Sequence, residues 1–309
     1  MNRRALLFGA SACGALFLIG CGGNRAASET SAPSPAMSAV FTSARISVVA
    51  RGAGPDIVLI PGMTSHRAVW NDTVAALEGR YRFHLVQVNG FAGFPAAGNT
   101  EGEVAAPAAE EIARYIEDAG LERSAVIGHS MGGTIAMMLA ARHPDTLSRL
   151  MVVDMLPFMG AMFGPPGTTP DSIRPTADRI RAATQNVPPG QLSPTIEQMI
   201  SSMTRSDAAR PLLLTHARES DPRVVGNAFH ELIVTDLRPD LAHIDVPATV
   251  LYVYPPNMPI SAEQLDAFYV ASFANLPHGQ LKKISDSNHF IMIDQPQRFR
   301  AEIEIFMAR

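Results

Sequence analysis

The chain has few cysteines and no strong excess of either charge, and both features narrow the functions that it can serve. Its 309 residues include only two cysteines, Cys13 and Cys21. Because both lie near the N-terminus, the rest of the chain can form no internal disulfide. A formal net charge of −4 gives no electrostatic basis for binding nucleic acid, so no nucleic-acid partner is expected.

Long apolar runs are also missing beyond the first twenty residues. No stretch of about 18 or more apolar residues occurs there, which excludes a membrane-spanning helix from that part of the sequence. The sequence holds no repeat of solenoid or propeller period. It also lacks an H-E-x-x-H metal motif, a dinucleotide fingerprint and a P-loop, so we expect neither a metal nor a cofactor.

The N-terminal segment has the layout of an export signal. Two arginines precede an apolar stretch that ends at Gly20, and Cys21 follows directly. The sequence Leu-Ile-Gly-Cys that ends at Cys21 resembles the lipobox of bacterial lipoproteins. We therefore expect residues 1–20 to be a signal peptide and Cys21 to be the lipidation site.

The resemblance implies cleavage before Cys21 and attachment of acyl chains to that residue. Several acyl chains hold a protein firmly at a membrane, so the expected location is the bacterial cell envelope, on its periplasmic or outer surface. Residues 21–38 are rich in Ser, Ala and Pro and are predicted to be a flexible tether. An uncleaved anchor and an ordinary secretory signal remain alternatives.

Strand and helix patterns alternate beyond the tether. This alternation predicts an α/β fold, with a mostly parallel sheet covered by helices on both faces, built from residues 39–155 and 246–309. Short apolar runs such as "DIVLI" and "SAVIGH" indicate buried strands. Residues 156–245 show helical patterns and no clear strand. They are predicted to be a helical cap inserted before the last strands.

A serine lies where one buried strand turns into a helix. In "GHSMGG", Ser130 follows the apolar run "SAVI", and Gly128 and Gly132 remove the Cβ atoms that would clash in so tight a turn. The turn presents the hydroxyl at a helix N-terminus, whose partial positive charge favours a developing anion. The sequence therefore predicts that Ser130 is a nucleophile.

Three motifs together resemble the α/β-hydrolase family over essentially all of the chain beyond the tether. They are "GHSMGG", "IPGMTSHRAVW" after an early strand, and "SNHFIMIDQP" near the end. The resemblance implies the α/β-hydrolase fold, and the chain looks most like the capped carboxylesterase and lipase-like branch. It also implies that backbone amides of Met63 and Met131 form the oxyanion hole that stabilises the tetrahedral intermediate.

The base that activates Ser130 is expected to be a histidine, since an imidazole suits proton transfer near neutral pH. Of the nine histidines, His289 is the one that lies after the last strand, where the family places its base. We interpret His66, His129 and His278 as structural.

The acid of the triad is harder to assign. Relatives commonly carry an aspartate after the strand "VLYVY", where this chain has Asn257 in "PPNMP". Asp154 ends the neighbouring strand "LMVVD", a position that some α/β-hydrolases use, and both strand ends open on the same crevice. We expect Asp154 to orient His289 and stabilise its imidazolium. Asp286 and Glu263 remain alternatives.

These features predict a serine hydrolase that cleaves carboxylic esters through an acyl-enzyme intermediate. The expected substrate is a small-molecule or lipid-like ester. The same residues would serve a perhydrolase, a lactonase or a thioesterase, because substrate choice depends on the cap. A noncatalytic binding protein that kept the fold is the alternative from a different class, and the missing aspartate after "VLYVY" is its support.

Overall fold

The computed structural model describes residues 41–255 and 258–309. The predicted signal peptide (residues 1–20), the tether (residues 21–38) with the lipidation site Cys21, and Asn257 all lie outside the described residues. Within the described ranges, no helix combines the length and the apolar character needed to cross a bilayer.

A single sheet holds the seven strands of the described residues. In chain order they are β1 (Ile46–Gly52), β2 (Asp56–Ile60), β3 (Arg82–Val88), β4 (Ser124–His129), β5 (Leu147–Val153), β6 (Ala248–Tyr254) and β7 (Gly279–Ser285). The spatial order is β1-β3-β2-β4-β5-β6-β7. Only β1 is antiparallel to its neighbour, so the predicted mostly parallel sheet is confirmed.

The first two strands flank a glycine turn but do not pair with each other. β3 lies between them, with Ile46 opposite Val88 on one side and Ile57 parallel to Phe83 on the other. The burial of each strand explains this arrangement. β2 is almost entirely buried and needs a neighbour on both edges, whereas most of β1 is exposed, as an edge strand tolerates.

Ten α-helices accompany the strands in the described part of the chain. They are α1 (Asn71–Leu77), α2 (Ala105–Asp118), α3 (Met131–Arg142), α4 (Pro170–Gln185), α5 (Pro194–Ser202), α6 (Arg210–Arg218), α7 (Pro222–Val234), α8 (Ala262–Ser272), α9 (Ile291–Asp294) and α10 (Pro296–Met307). Helices α2, α3 and α8 pack on one face of the sheet, while α1 and α10 pack on the other. Alternate strand residues serve the two faces. Val58 and Ile60 join the first core, and Ile57 and Leu59 join the second.

Helices α4 to α7 form the cap between β5 and β6, which confirms the predicted helical insertion. Three of the four begin with a capping residue followed by proline, at Thr169, Ser193 and Asp221. Each capping side chain accepts a backbone N–H bond of the first turn, and proline fits the first helical position because it has no N–H to leave unpaired. α4 and α7 share a small apolar core that includes Ile173 and Ile233.

One buried carboxylate ties the cap to the rest of the molecule. Glu231 of α7 is only 3% exposed, and it accepts hydrogen bonds of 2.7 Å from the backbone N–H groups of Val104, Ala105 and Ala106. These N–H groups open helix α2, where the helix dipole also favours a negative charge. Burial raises the pKa of Glu231, and the three N–H bonds act against that rise by favouring the charged form.

Candidate active site

Ser130 occupies a strained turn between β4 and α3. Its φ of 54° lies in the left-handed region, where a serine is uncommon, and its N–H donates to the Val153 carbonyl at 3.0 Å. A Cβ on Gly128 would overlap the carbonyl of Gly132, and a Cβ on Gly132 would overlap the carbonyl of Ile60. The two glycines are therefore required by close backbone approach, as the sequence pattern predicts.

The structure brings His289 and Asp154 into direct contact. Asp154 directly follows β5, His289 lies in the loop between β7 and α9, and 2.6 Å separate Asp154 Oδ2 from His289 Nδ1. The other carboxylate oxygen, Oδ1, accepts the Val253 N–H of β6 at 3.2 Å. A carboxylate at Nδ1 requires the proton there, which leaves a lone pair on Nε2 to act as a base.

The alternative acids lie elsewhere. Asp286 is solvent-exposed and forms an ion pair with Arg205 at 3.5 Å, and Glu263 is exposed on α8. Neither contacts the His289 ring. Among the described residues, Asp154 is thus the carboxylate that can hold the imidazole.

Tyr269 of α8 also binds Asp154, a contact that sequence reasoning missed. The buried hydroxyl donates to Asp154 Oδ1 at 3.4 Å, and the ring stacks on Tyr252 with centroids 4.1 Å apart. Burial and the charge of Asp154 raise the pKa of Tyr269 well above its usual value, so the hydroxyl keeps its proton and remains a donor. Its buried position on α8, one turn after Leu265, is typical of ordinary core packing and gives no separate sequence signal.

His129, within the serine turn, contacts the loop that carries His289. Its ring is fully buried, its Nε2 lies 3.0 Å from the His289 carbonyl oxygen, and the two ring centroids are 4.5 Å apart. A carbonyl only accepts, so Nε2 bears the proton of His129. Burial lowers the pKa of His129 well below its usual value, which keeps the ring neutral. The residue that we interpreted as structural thus helps to position the backbone of the candidate base.

The N–H groups of the two candidate oxyanion donors have no acceptor within residues 41–255 and 258–309. Met131 begins α3, and Met63 lies in a turn closed by the Ser65 N–H bond to the Gly62 carbonyl at 3.2 Å. Neither Met63 nor Met131 donates its N–H to an acceptor in the described part of the chain. Unpaired backbone donors near a nucleophile are what stabilisation of an oxyanion requires.

Ser130 and His289 line one cavity of about 380 Å³ beneath the cap. The cap contributes mainly apolar side chains, among them Ile180, Val187, Leu192, Ile196, Met199, Leu213 and Phe229. No Asp, Glu, Lys or Arg is among the described residues that line it. The cavity therefore favours uncharged ligands, because a buried charge without a partner is costly.

The hydrogen bonds of the described residues do not include one between Ser130 Oγ and the imidazole of His289. Such a bond is often long in a free enzyme and shortens when a substrate binds. Across residues 41–255 and 258–309, no group of three or more His, Cys, Asp or Glu side chains is arranged to hold a metal ion.

The chain is similar in sequence to known proteins of one family. The model of the family described as "Alpha/beta hydrolase family" matches residues 57–302. A pimeloyl-[acyl-carrier protein] methyl ester esterase of Aeromonas hydrophila is 30% identical over 85% of this chain and 99% of its own length. The esterase of the same name from Vibrio cholerae is 25% identical over 84% of this chain and 96% of its own.

Among solved structures, a hydrolase from Pseudomonas aeruginosa is similar with a TM-score of 0.68. The match covers 85% of this chain and 94% of the other, at 18% sequence identity. This likeness shows the fold, and the predicted α/β-hydrolase architecture is confirmed.

Proposed function

The chain belongs to the alpha/beta hydrolase family and is a carboxylic ester hydrolase, and on that premise we propose that it acts through a Ser130-His289-Asp154 triad. One observation carries the proposal. The Asp154 carboxylate lies 2.6 Å from His289 Nδ1, and the same histidine lines a cavity with Ser130. A carboxylate in that position supports both the tautomer of a general base and the cation that it forms.

The proposed reaction proceeds in two steps. Ser130 Oγ attacks the ester carbonyl carbon while His289 Nε2 takes the hydroxyl proton, and the amides of Met63 and Met131 bind the oxyanion. The intermediate collapses, the C–O bond breaks, and the alcohol leaves with the proton from His289. Water then attacks the acyl-serine with His289 as base, which releases the carboxylic acid and restores Ser130.

The substrate that the cavity favours is a neutral ester with an apolar acyl chain. The wall has no charged side chain among the described residues, and its cap side is largely aliphatic. The curated relatives are named for a methyl ester of an acyl-carrier-protein-bound chain, which is also an ester at the end of an apolar chain. Small-molecule and lipid-like esters both satisfy these properties.

A fluorophosphonate probe tests the proposal, because only an activated serine reacts with it. We expect the wild type to be labelled at Ser130 and to hydrolyse p-nitrophenyl esters. Ser130→Ala should lose labelling and about 10⁴-fold or more in kcat. Ser285→Ala, at an exposed position on β7, is the matched control and should be labelled like the wild type.

A wild type that is neither labelled nor active would overturn the proposal and favour a binding protein. Adding thioesters and lactones to the panel separates the related activities.

The location is proposed from the sequence alone. We propose that the chain is exported and held at the cell envelope by lipid on Cys21, on the basis of the apolar N-terminal stretch and its lipobox-like end. Detergent phase partitioning of the full-length protein tests this, with Cys21→Ala as the comparison. The wild type should partition into detergent and the variant into water. Equal partitioning would overturn the proposal.

A further inference from the structure

The cavity has a second polar region besides its catalytic side. His216 of α6 and Ser65 of the core both line it, and they are only 6% and 3% exposed. Other polar groups on the cap side are already satisfied. Thr184 donates to Ile180, and Ser220 donates to the His216 carbonyl and accepts from Ala92. Gln191 and Thr195 are exposed, so water can satisfy them.

His216 presents an N–H donor that has no hydrogen-bond partner among the described residues. Its Nδ1 accepts a long bond of 3.5 Å from the His66 backbone N–H, which requires a lone pair at Nδ1 and therefore a proton at Nε2. Burial and the neighbouring His66 lower the pKa of His216 to about 4, so the ring is neutral at neutral pH. Nε2 donates to no acceptor among the described residues, and neither does the hydroxyl of Ser65.

This polar region lies close to the candidate oxyanion hole. The bond from the Ser65 N–H to the Gly62 carbonyl closes a turn that contains Met63. The Cα atoms at the two ends of such a turn are less than about 7 Å apart. If the carbonyl oxygen of a substrate binds the Met63 amide, the substrate atoms that are a few bonds from that carbonyl would therefore lie next to Ser65 and His216.

We propose that His216 and Ser65 form a specificity subsite that binds an additional oxygen of the ester, such as an ether, keto or hydroxyl oxygen. The inference rests on the proposed function and adds the substrate class to it: oxygenated esters, with the extra oxygen within a few bonds of the carbonyl. A hydrocarbon at this place would leave buried donors unpaired. A site built to hydrogen-bond a substrate discriminates against the analogue that lacks the partner.

The test compares esters that differ by one atom. p-Nitrophenyl hexanoate is measured against analogues with an ether oxygen replacing one methylene at each position of the acyl chain beyond the carbon next to the carbonyl. Pentyl hexanoate against 2-ethoxyethyl hexanoate covers the alcohol side. The readout is the ratio of kcat/KM for each oxygenated ester to that for its hydrocarbon partner, normalised to hydroxide hydrolysis. We expect the wild type to favour at least one oxygenated ester.

His216→Leu should reduce that ratio about tenfold, the effect of one buried hydrogen bond, and Ser65→Ala should reduce it several-fold. His216→Gln keeps an N–H donor and should retain most of the ratio. His230→Leu, which removes another cap histidine that does not line the cavity, is the matched control and should leave the ratio unchanged.

Two outcomes would overturn the inference: a wild type with no preference for any oxygenated ester, or an equal ratio in the wild type and His216→Leu. If His216 had only a structural role, His216→Leu would lower kcat/KM for the oxygenated ester and for its hydrocarbon partner by the same factor, which is the second outcome. Failure of the proposed function is distinguishable, since it would appear as a wild type without ester hydrolysis or as ester hydrolysis that survives Ser130→Ala.

Discussion

The two walls of the cavity are built in different ways. On the core side, Ser130 of the wall and Asp154, which contacts His289, both follow parallel strands and both adopt positive φ values. Gly128 and Gly132 have no room for a Cβ. On the cap wall, short helices present apolar side chains such as Met199 and Ile196.

This difference separates two tasks. Reacting groups must be held within a fraction of an ångström, which strand ends and a crowded turn can do. A selective wall needs only shape and a few polar contacts, and side chains on helices can change without moving the backbone. The core wall is thus expected to govern the rate of the chemistry, and the cap wall to govern which ester reacts.

The strongest test of the core wall is Asp154→Asn. The amide keeps the size of the side chain but no longer favours the required tautomer or balances the imidazolium, so kcat should fall by about 10³- to 10⁴-fold with little change in KM. Asp286→Asn, a carboxylate near His289 in sequence but exposed, should change kcat less than twofold. Steady-state kinetics on a p-nitrophenyl ester measure both. Near-full kcat in Asp154→Asn would show that the acid is another group.

Gly132→Ala tests whether backbone crowding maintains the serine turn. The new Cβ would overlap the Ile60 carbonyl, so β2 and the turn must move apart. A shift of about 1 Å at a nucleophile can cost about 100-fold in kcat/KM, and overpacking typically costs about 1–3 kcal/mol of stability. In Gly79→Ala, the control, the added Cβ has no heavy atom within 4 Å. Activity and urea unfolding are measured for both variants, and equal results would contradict the crowding argument.

Met199→Trp tests whether the cap wall controls which acyl chains the cavity accepts. A larger side chain on α5 fills part of the cavity, so kcat/KM for octanoate esters should drop about tenfold while acetate esters change less than threefold. Gln198→Trp adds the same bulk at an exposed position of α5 and should leave the chain-length profile unchanged. An equal loss on short and long esters would mean that the cap also controls the chemistry.

Lowering the pH should decrease the stability of the folded protein through one buried histidine on each wall, and this is the smallest of the expected effects. Burial lowers the pKa of His216 to about 4 and of His129 well below its usual value, so in the folded protein both resist protonation. The unfolded chain binds those protons below about pH 6.5, and stability therefore falls as the pH decreases from about 6.5 towards 4. Thermal unfolding should give a lower Tm at pH 5 than at pH 7. If the drop in Tm between pH 7 and pH 5 is smaller in His216→Leu, His216 of the cap accounts for part of that drop. An unchanged drop would exclude His216 as a source.

Local patterns were enough to predict the sheet, the helical cap and the serine turn. "GHSMGG" carries its own steric reason in the glycines. Asp154 was chosen because some α/β-hydrolases hold their acid after the strand equivalent to β5 and this chain has Asn257 at the usual later position. The common edge of parallel strands makes either position able to reach the histidine. The sequence did not predict three contacts: Tyr269 with Asp154, His129 with the His289 carbonyl, and Glu231 with the start of α2. Their partners are distant in sequence or are backbone groups, and a side chain buried on a helix looks the same whether it packs or donates a hydrogen bond.

The Glu231 carboxylate beneath the cap has a consequence for protein engineering. Exchanging residues 156–245 for the corresponding region of a relative would remove the acceptor that α2 relies on at its first turn. A chimera whose new cap lacks an acidic residue at this place would leave these three backbone amides at the start of α2 without an acceptor, two of them fully buried. Grafting this one glutamate along with the foreign helices is the simplest way to make the two halves compatible.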